Sequence, residues 1–81
     1  MQLDKKAKSA IAAYIMGFAP EVKITGGHDE IKAFSRVLES SRDVYNLLQG
    51  KPTIERLTEA LADKSMNASA FKKATGHTWP F

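Results

Sequence analysis

Residues 29–52 read DEIKAFSRVLESSRDVYNLLQGKP, and this stretch decides what kind of fold the chain makes. Ile31, Phe34, Val37, Leu38, Val44, Tyr45 and Leu48 recur at intervals of three, four and seven, the spacing that gathers side chains on one face of an α-helix. Asp29 and Glu30 fall in its first turn, where the positive end of the helix dipole favours carboxylates. Gly50 and Pro52 supply the stop, and Arg42 and Asp43 lie off the apolar stripe. This is the longest element of the chain and the expected spine of its core.

Upstream, Leu3, Ala7, Ala10, Ile11, Tyr14 and Phe18 share one helical face, with Asp4 as N-cap and Gly17 and Pro20 as the stop. Lys5, Lys6 and Lys8 ahead of the apolar residues 10–19 have the outline of an export signal. Pro20 would stand directly after the cut, and the stretch is Ala-rich and carries Tyr14, so a mature amphipathic helix is the expectation. Spanning a bilayer takes about 20 apolar residues, more than this stretch has, so no membrane insertion is expected. Between the two helices, Glu21, Val22, Lys23, Ile24 and Thr25 alternate polar and apolar, the period of a strand, and Gly26-Gly27 closes it. A lone strand leaves its backbone groups unpaired. Residues 21–25 are therefore either an extended connector or a strand (Val22, Lys23, Ile24, Thr25) that pairs with the same segment of a second chain.

Downstream, a third helix starts near Thr53 and shows Ile54, Leu57, Ala60 and Leu61 on one face. Lys64-Ser65-Met66 reads as a break, after which Asn67 caps a short fourth helix carrying Ala70, Phe71 and Ala74 and ending at Gly76. The aromatic tail, residues 77–81, is expected to pack down, because exposed Trp79 and Phe81 would leave apolar area in water. The expected fold class is mostly α: a small bundle of about four helices with one strand-like segment, one domain over residues 1–81. Phe34 and Leu38 are expected to face Ile11, Tyr14, Leu57 and Leu61.

Composition agrees with a folded chain, 43% apolar and 26% charged. Cysteine is absent, which excludes disulfides and thiolate chemistry and fits a reducing, cytoplasmic compartment. Small unstapled domains commonly gain stability by oligomerising. The net charge of +3 is uneven: Lys5, Lys6 and Lys8 near one end and Lys72 and Lys73 near the other carry it, while the middle is close to balanced. Such basic ends suit a nucleic-acid partner or serve as plain solvated surface.

No constellation for catalysis emerges. His28 and His77 belong to no spaced ligand set, so neither metal nor cofactor is expected. Gly26-Gly27 before a helix has the local form of a phosphate-binding turn, without the fuller glycine patterns that would support one. The serines lack a nucleophile-elbow context.

Residues 57–80, LTEALADKSMNASAFKKATGHTWP, loosely resemble the helix-turn-helix units of small phage and bacterial repressors. The resemblance implies a turn at Ser65-Met66-Asn67, Asn67 and Ser69 towards bases, and Lys72 and Lys73 near phosphates, with Lys5 and Lys8 as further basic contacts. It departs from the pattern where Lys64 and Ser65 stand in place of a small turn residue. A ribbon-helix-helix arrangement would instead use Glu21, Lys23 and Thr25 as readers, although Glu21 is a poor neighbour for phosphate. The leading functional expectation is a non-catalytic protein-interaction module, a homo-oligomer that engages another protein, of the size and character of phage and mobile-element accessory proteins. The alternative is a small DNA- or RNA-binding regulator, and a structural component of a larger assembly is a third.

Overall fold

The computed structural model describes residues 1–21 and 23–81. Among them lie three helices: α1 (Lys5–Ile15), α2 (His28–Gln49) and α3 (Ile54–Thr75). Each begins on a cap that the sequence supplies. The Asp4 carboxylate accepts from the Ala7 amide at 2.8 Å. Glu30 reaches back to the Gly27 amide at 2.9 Å. The Thr53 hydroxyl accepts from the Arg56 amide at 3.2 Å. Such caps satisfy amides that the first turn leaves without partners.

The stops are equally local. After α1, Gly17 takes a positive φ of 99°. Its amide bonds Tyr14 O at 3.0 Å while the Phe18 amide bonds Ala13 O at 3.0 Å, the paired closure of a Schellman motif. Gly76 ends α3 at φ 78°, its amide on Lys72 O at 2.8 Å. Both conformations are costly for any residue with a Cβ.

α2 and α3, 22 residues each, form an antiparallel hairpin joined by residues 50–53. At 1.5 Å per residue each helix is about 33 Å long, which accounts for the 36 Å longest dimension of the molecule. Phe34, Val37, Ser41 and Val44 turn inward from α2. Leu57, Ala60, Lys64, Asn67, Ala68, Phe71 and Thr75 form the inner stripe of α3. α1, with 11 residues, is half as long and runs parallel to α2. The Met1 amino group lies 3.5 Å from Glu30, and Tyr14 donates to Glu39 at 2.5 Å. The tail returns along the same face. His77 Nε2 lies 2.9 Å from Met1 O, Trp79 donates to Ser41, and Lys64 Nζ donates to Phe81 O.

The core sits where these four pieces meet. Ile11, Ile15, Phe34, Val37, Phe71 and Trp79 are buried together, Val37 and Phe71 completely. Phe34, Phe71 and Trp79 form a triangle with centroids 5.3–6.2 Å apart, two of its three contacts edge-to-face. The result is a hairpin layer with a half-length second layer, only 17 Å thick in its shortest direction.

Three expectations need correction. The helix break at Lys64-Ser65-Met66 does not exist: α3 is continuous, so the described residues form three helices rather than four. None of the three residues is Gly or Pro, and the Lys64 stem lies against the hairpin while its ammonium reaches out to Phe81 O. Among the described residues of 21–25 none is in a strand; Val22 lies outside the described residues. The alternation there arises because Ile24 tucks onto the core while Glu21, Lys23 and Thr25 face water. Finally, Leu61 and Leu48 are exposed rather than core residues.

Truncating Phe34 to Ala is expected to cost about 3–5 kcal/mol, the range for a buried Phe. Met66→Ala, at a position 71% exposed on the outer side of α3, should cost under about 1 kcal/mol. Denaturant titrations followed by helical circular dichroism check both, and equal midpoints for the two variants would show the core has been misplaced.

Candidate interaction surface

Two polar features and one apolar feature stand out from the packing. At the hairpin's centre the inner stripe of α2 carries Ser40 and Ser41, both buried. Asn67 Nδ2 donates to Ser40 Oγ at 2.5 Å. Trp79 Nε1 donates to Ser41 Oγ at 2.9 Å, and Ser41 Oγ in turn donates to Val37 O at 2.8 Å. No buried side-chain polar atom among the described residues lacks a partner. The seam fixes the register of α2 against α3 and the position of the tail, because a slip would leave these groups unpaired in a dry place.

The second polar feature ties the chain's ends to the start of α2. The Glu30 carboxylate holds the Gly27 amide and faces the Met1 amino group. Gly27's amide is thus taken by the chain's own carboxylate, which leaves the Gly26-Gly27 turn a structural one. His77 bonds Met1 O, while its amide is held by Thr75 Oγ1 at 3.1 Å. That is a strap and not a ligand set. Among the described residues no group of three or more His, Asp and Glu side chains could hold a metal.

The residues singled out for nucleic acid separate into two sets. Asn67 is half-buried, its amide committed to Ser40, so it is a seam residue and not a free base reader. The expected turn around it is helix, and no helix-turn-helix unit exists in residues 57–80. Ser69, Lys72 and Lys73 are exposed on the last turns of α3, and Lys5 and Lys8 are exposed on α1. The His77–Met1 bond brings the end of α3 and the start of the chain to the same end of the molecule. Of the proposed pairing strand, Lys23 and Thr25 are exposed and Ile24 is spent on the core.

The apolar feature lies at the other end. α1 and the tail stop near the middle of the hairpin, where Ile15, Met16, Val44, Tyr45, Leu48 and Phe81 line a shallow groove of about 330 Å³. Its one charged wall residue is Lys64. Leu61 sits one turn before Lys64 on α3 and Ile54 two turns before Leu61, so both continue this face towards the hairpin tip. Ile54 is 82% and Leu61 47% exposed, with Leu48, Met16 and Phe81 also open to water. The opposite face of the hairpin is different in kind, a groove walled by Asp43, Asn46, Arg56, Glu59 and Asp63. One face of the tip is therefore apolar and uncovered, the other polar and solvated. Sequence periodicity had assigned Leu48 and Leu61 to the core; the signal it lacked was that the first helix is half the length of the hairpin.

Among the described residues, no helix is long and apolar enough to cross a membrane. No family model matches the chain, and neither a curated protein nor a solved structure shows significant similarity to it.

Two outcomes follow from the polar features. Asn67→Ala should lose about 1 kcal/mol of stability, the worth of a hydrogen bond to a buried hydroxyl; an unchanged denaturation midpoint would remove Asn67 from the seam. The Glu30 carboxyl is held below its ordinary value of 4.5, first by the Gly27 amide and then by the Met1 amino group. A carboxyl with a depressed folded-state value stabilises the fold above its unfolded value and loses that contribution as pH falls through the depressed one. Thermal melts below pH 4.5 should therefore fall less steeply for Glu30→Gln than for the parent, and identical acid limbs would count against the bond.

Proposed function

We infer that this protein is a non-catalytic interaction module whose working surface is the apolar face at the hairpin tip. The observation that carries the reading is that α1 and the tail stop short of the tip of the α2–α3 hairpin. This leaves Met16, Leu48, Ile54 and Leu61 in water on one side of a two-helix tip. Contiguous exposed apolar area rimmed by polar residues marks a protein-binding site far more often than a scatter of single apolar residues does. A two-helix tip also has no third layer to bury its face against, and packing of layers is what stabilises such elements. The size and character match the accessory proteins of phages and mobile elements by analogy alone.

A second reading has its own observation. α1 opens with Lys5 and Lys6 and has no acidic residue in its first turn, against the preference set by the helix dipole. Lys72 and Lys73 lie at the same end of the molecule, so an anionic polymer such as nucleic acid would find its charge there and not at the tip.

The first reading is tested by placing a photoreactive phenylalanine at Leu48 and irradiating source cells. A discrete protein adduct from position 48, and none from position 66 on the outer side of α3, is the expected result; no adduct from position 48 would remove the reading. The second is tested by duplex DNA binding across salt concentrations. If the lysines hold phosphates, Lys72→Ala with Lys73→Ala flattens the slope of log affinity against log salt by ~0.9 for each phosphate no longer held. We expect weak, sequence-indifferent retention only, since no array of Arg, Asn and Gln accompanies the lysines to read base edges.

A further inference from the structure

The occupant of the apolar face can be narrowed from area and charge. A monomeric protein of this mass exposes about 4,800 Å² by the size scaling of folded chains, whereas this chain exposes 5740 Å². The excess, roughly 900 Å², is close to the ~800 Å² that each partner buries in a standard protein–protein interface. A chain with a small buried core and a surplus of surface of this size is short of one partner's worth of burial.

Charge indicates what kind of partner. Residues 42–64, which make the hairpin tip, carry Arg42, Lys51, Arg56 and Lys64 against Asp43, Glu55, Glu59 and Asp63. The tip is neutral, and the net +3 of the chain lies entirely outside it. A neutral apolar face rimmed by both signs repels neither an acidic nor a basic partner strongly and attracts neither. It does match itself: about a two-fold axis each apolar residue meets an apolar residue, and the mixed rim meets a mixed rim. The antiparallel hairpin also presents no net helix dipole at the tip, so two tips approach without dipolar repulsion.

We propose that the face is closed by a second copy of this chain, tip against tip about a two-fold axis, so that four helices enclose Leu48, Ile54, Leu57 and Leu61 of both copies. The dimer is built from helix faces. This rests on the reading of the tip as a docking surface and names what docks there. In each copy the basic end, with Lys72 and Lys73, then points away from the two-fold axis.

The test reads the mass of the full-length chain in solution by light scattering from low micromolar to submillimolar concentration, together with its capacity to bind an apolar fluorescent dye. The parent is expected at twice 8.9 kDa. Leu61→Glu, at a position already half exposed, is expected to keep its helical circular dichroism and fall to the mass of one chain. Met66→Glu places the same charge on the outer side of the same helix, where Met66 is 71% exposed, and is expected to stay dimeric. A parent that stays at the mass of one chain throughout, or a Leu61→Glu variant that stays at twice it, overturns the proposal. In the monomeric case, dye that binds the parent and not Leu61→Glu leaves the docking surface standing with a different occupant. Dye that ignores both removes the surface as well.

Discussion

The packing of Phe34 and Phe71 against the edge-to-face Trp79 ring is the contact through which the other parts of the molecule are joined. Each ring comes from a different piece: Phe34 from α2, Phe71 from α3, Trp79 from the tail. Ile11 and Ile15 then lay α1 over the triangle. Without the rings the hairpin would be two helices touching along one stripe, and an isolated two-helix hairpin has little to bury. The aromatic triangle converts that stripe into a core by adding a second layer at one end only. The position of the triangle, in the first half of α2 and the last third of α3, is therefore also what leaves the tip bare.

Around the triangle the polar seam does a different job. Apolar packing is tolerant of small slips along a helix, whereas Asn67–Ser40 and Trp79–Ser41 bonds accept one register only. Buried polar groups of this kind give up some stability in exchange for uniqueness, the role attested for single buried polar residues in coiled coils. Here the seam also couples the tail to the hairpin. Ser41 accepts from Trp79 and donates its own hydrogen bond to Val37 O, so its hydroxyl links the tail to the α2 backbone.

Legibility in the sequence followed the strength of local signals. The bounds of α2 could be read because carboxylates, stripe and Gly-Pro stop all agree in one window. The cap at Asp4, the helix start near Thr53 and the glycine stops at Gly17 and Gly76 were readable for the same reason, since each acts within a few residues. The break expected in α3 has no local cause, because Lys64, Ser65 and Met66 include neither Gly nor Pro and all three fit a helix interior. Among the described residues of 21–25, the alternation marks Ile24 packing onto the core between exposed neighbours, and none of them is in a strand. Ser40 and Ser41 fell within the stripe without counting as part of it, since a periodicity argument weighs apolarity and cannot see a serine that bonds a tryptophan 38 residues away. The uncovered face was the least visible of all. Periodicity tells which side of a helix is apolar, and only the relative lengths of packed elements tell how much of that side is left in water.

Trp79 is the sole tryptophan of the chain, and its place at the junction of helices and tail has an optical consequence. Its indole is buried against three phenyl rings, those of Phe34, Phe71 and Phe81, with its N–H bonded to a hydroxyl, an environment dry enough to hold its emission at short wavelength. Release of the tail alone would carry that ring into water and shift the light to the red, even with both long helices intact. Helical dichroism and tryptophan emission thus watch different parts of this molecule. Where the two signals separate, the tail has left first; where they coincide, tail and hairpin come apart as one unit.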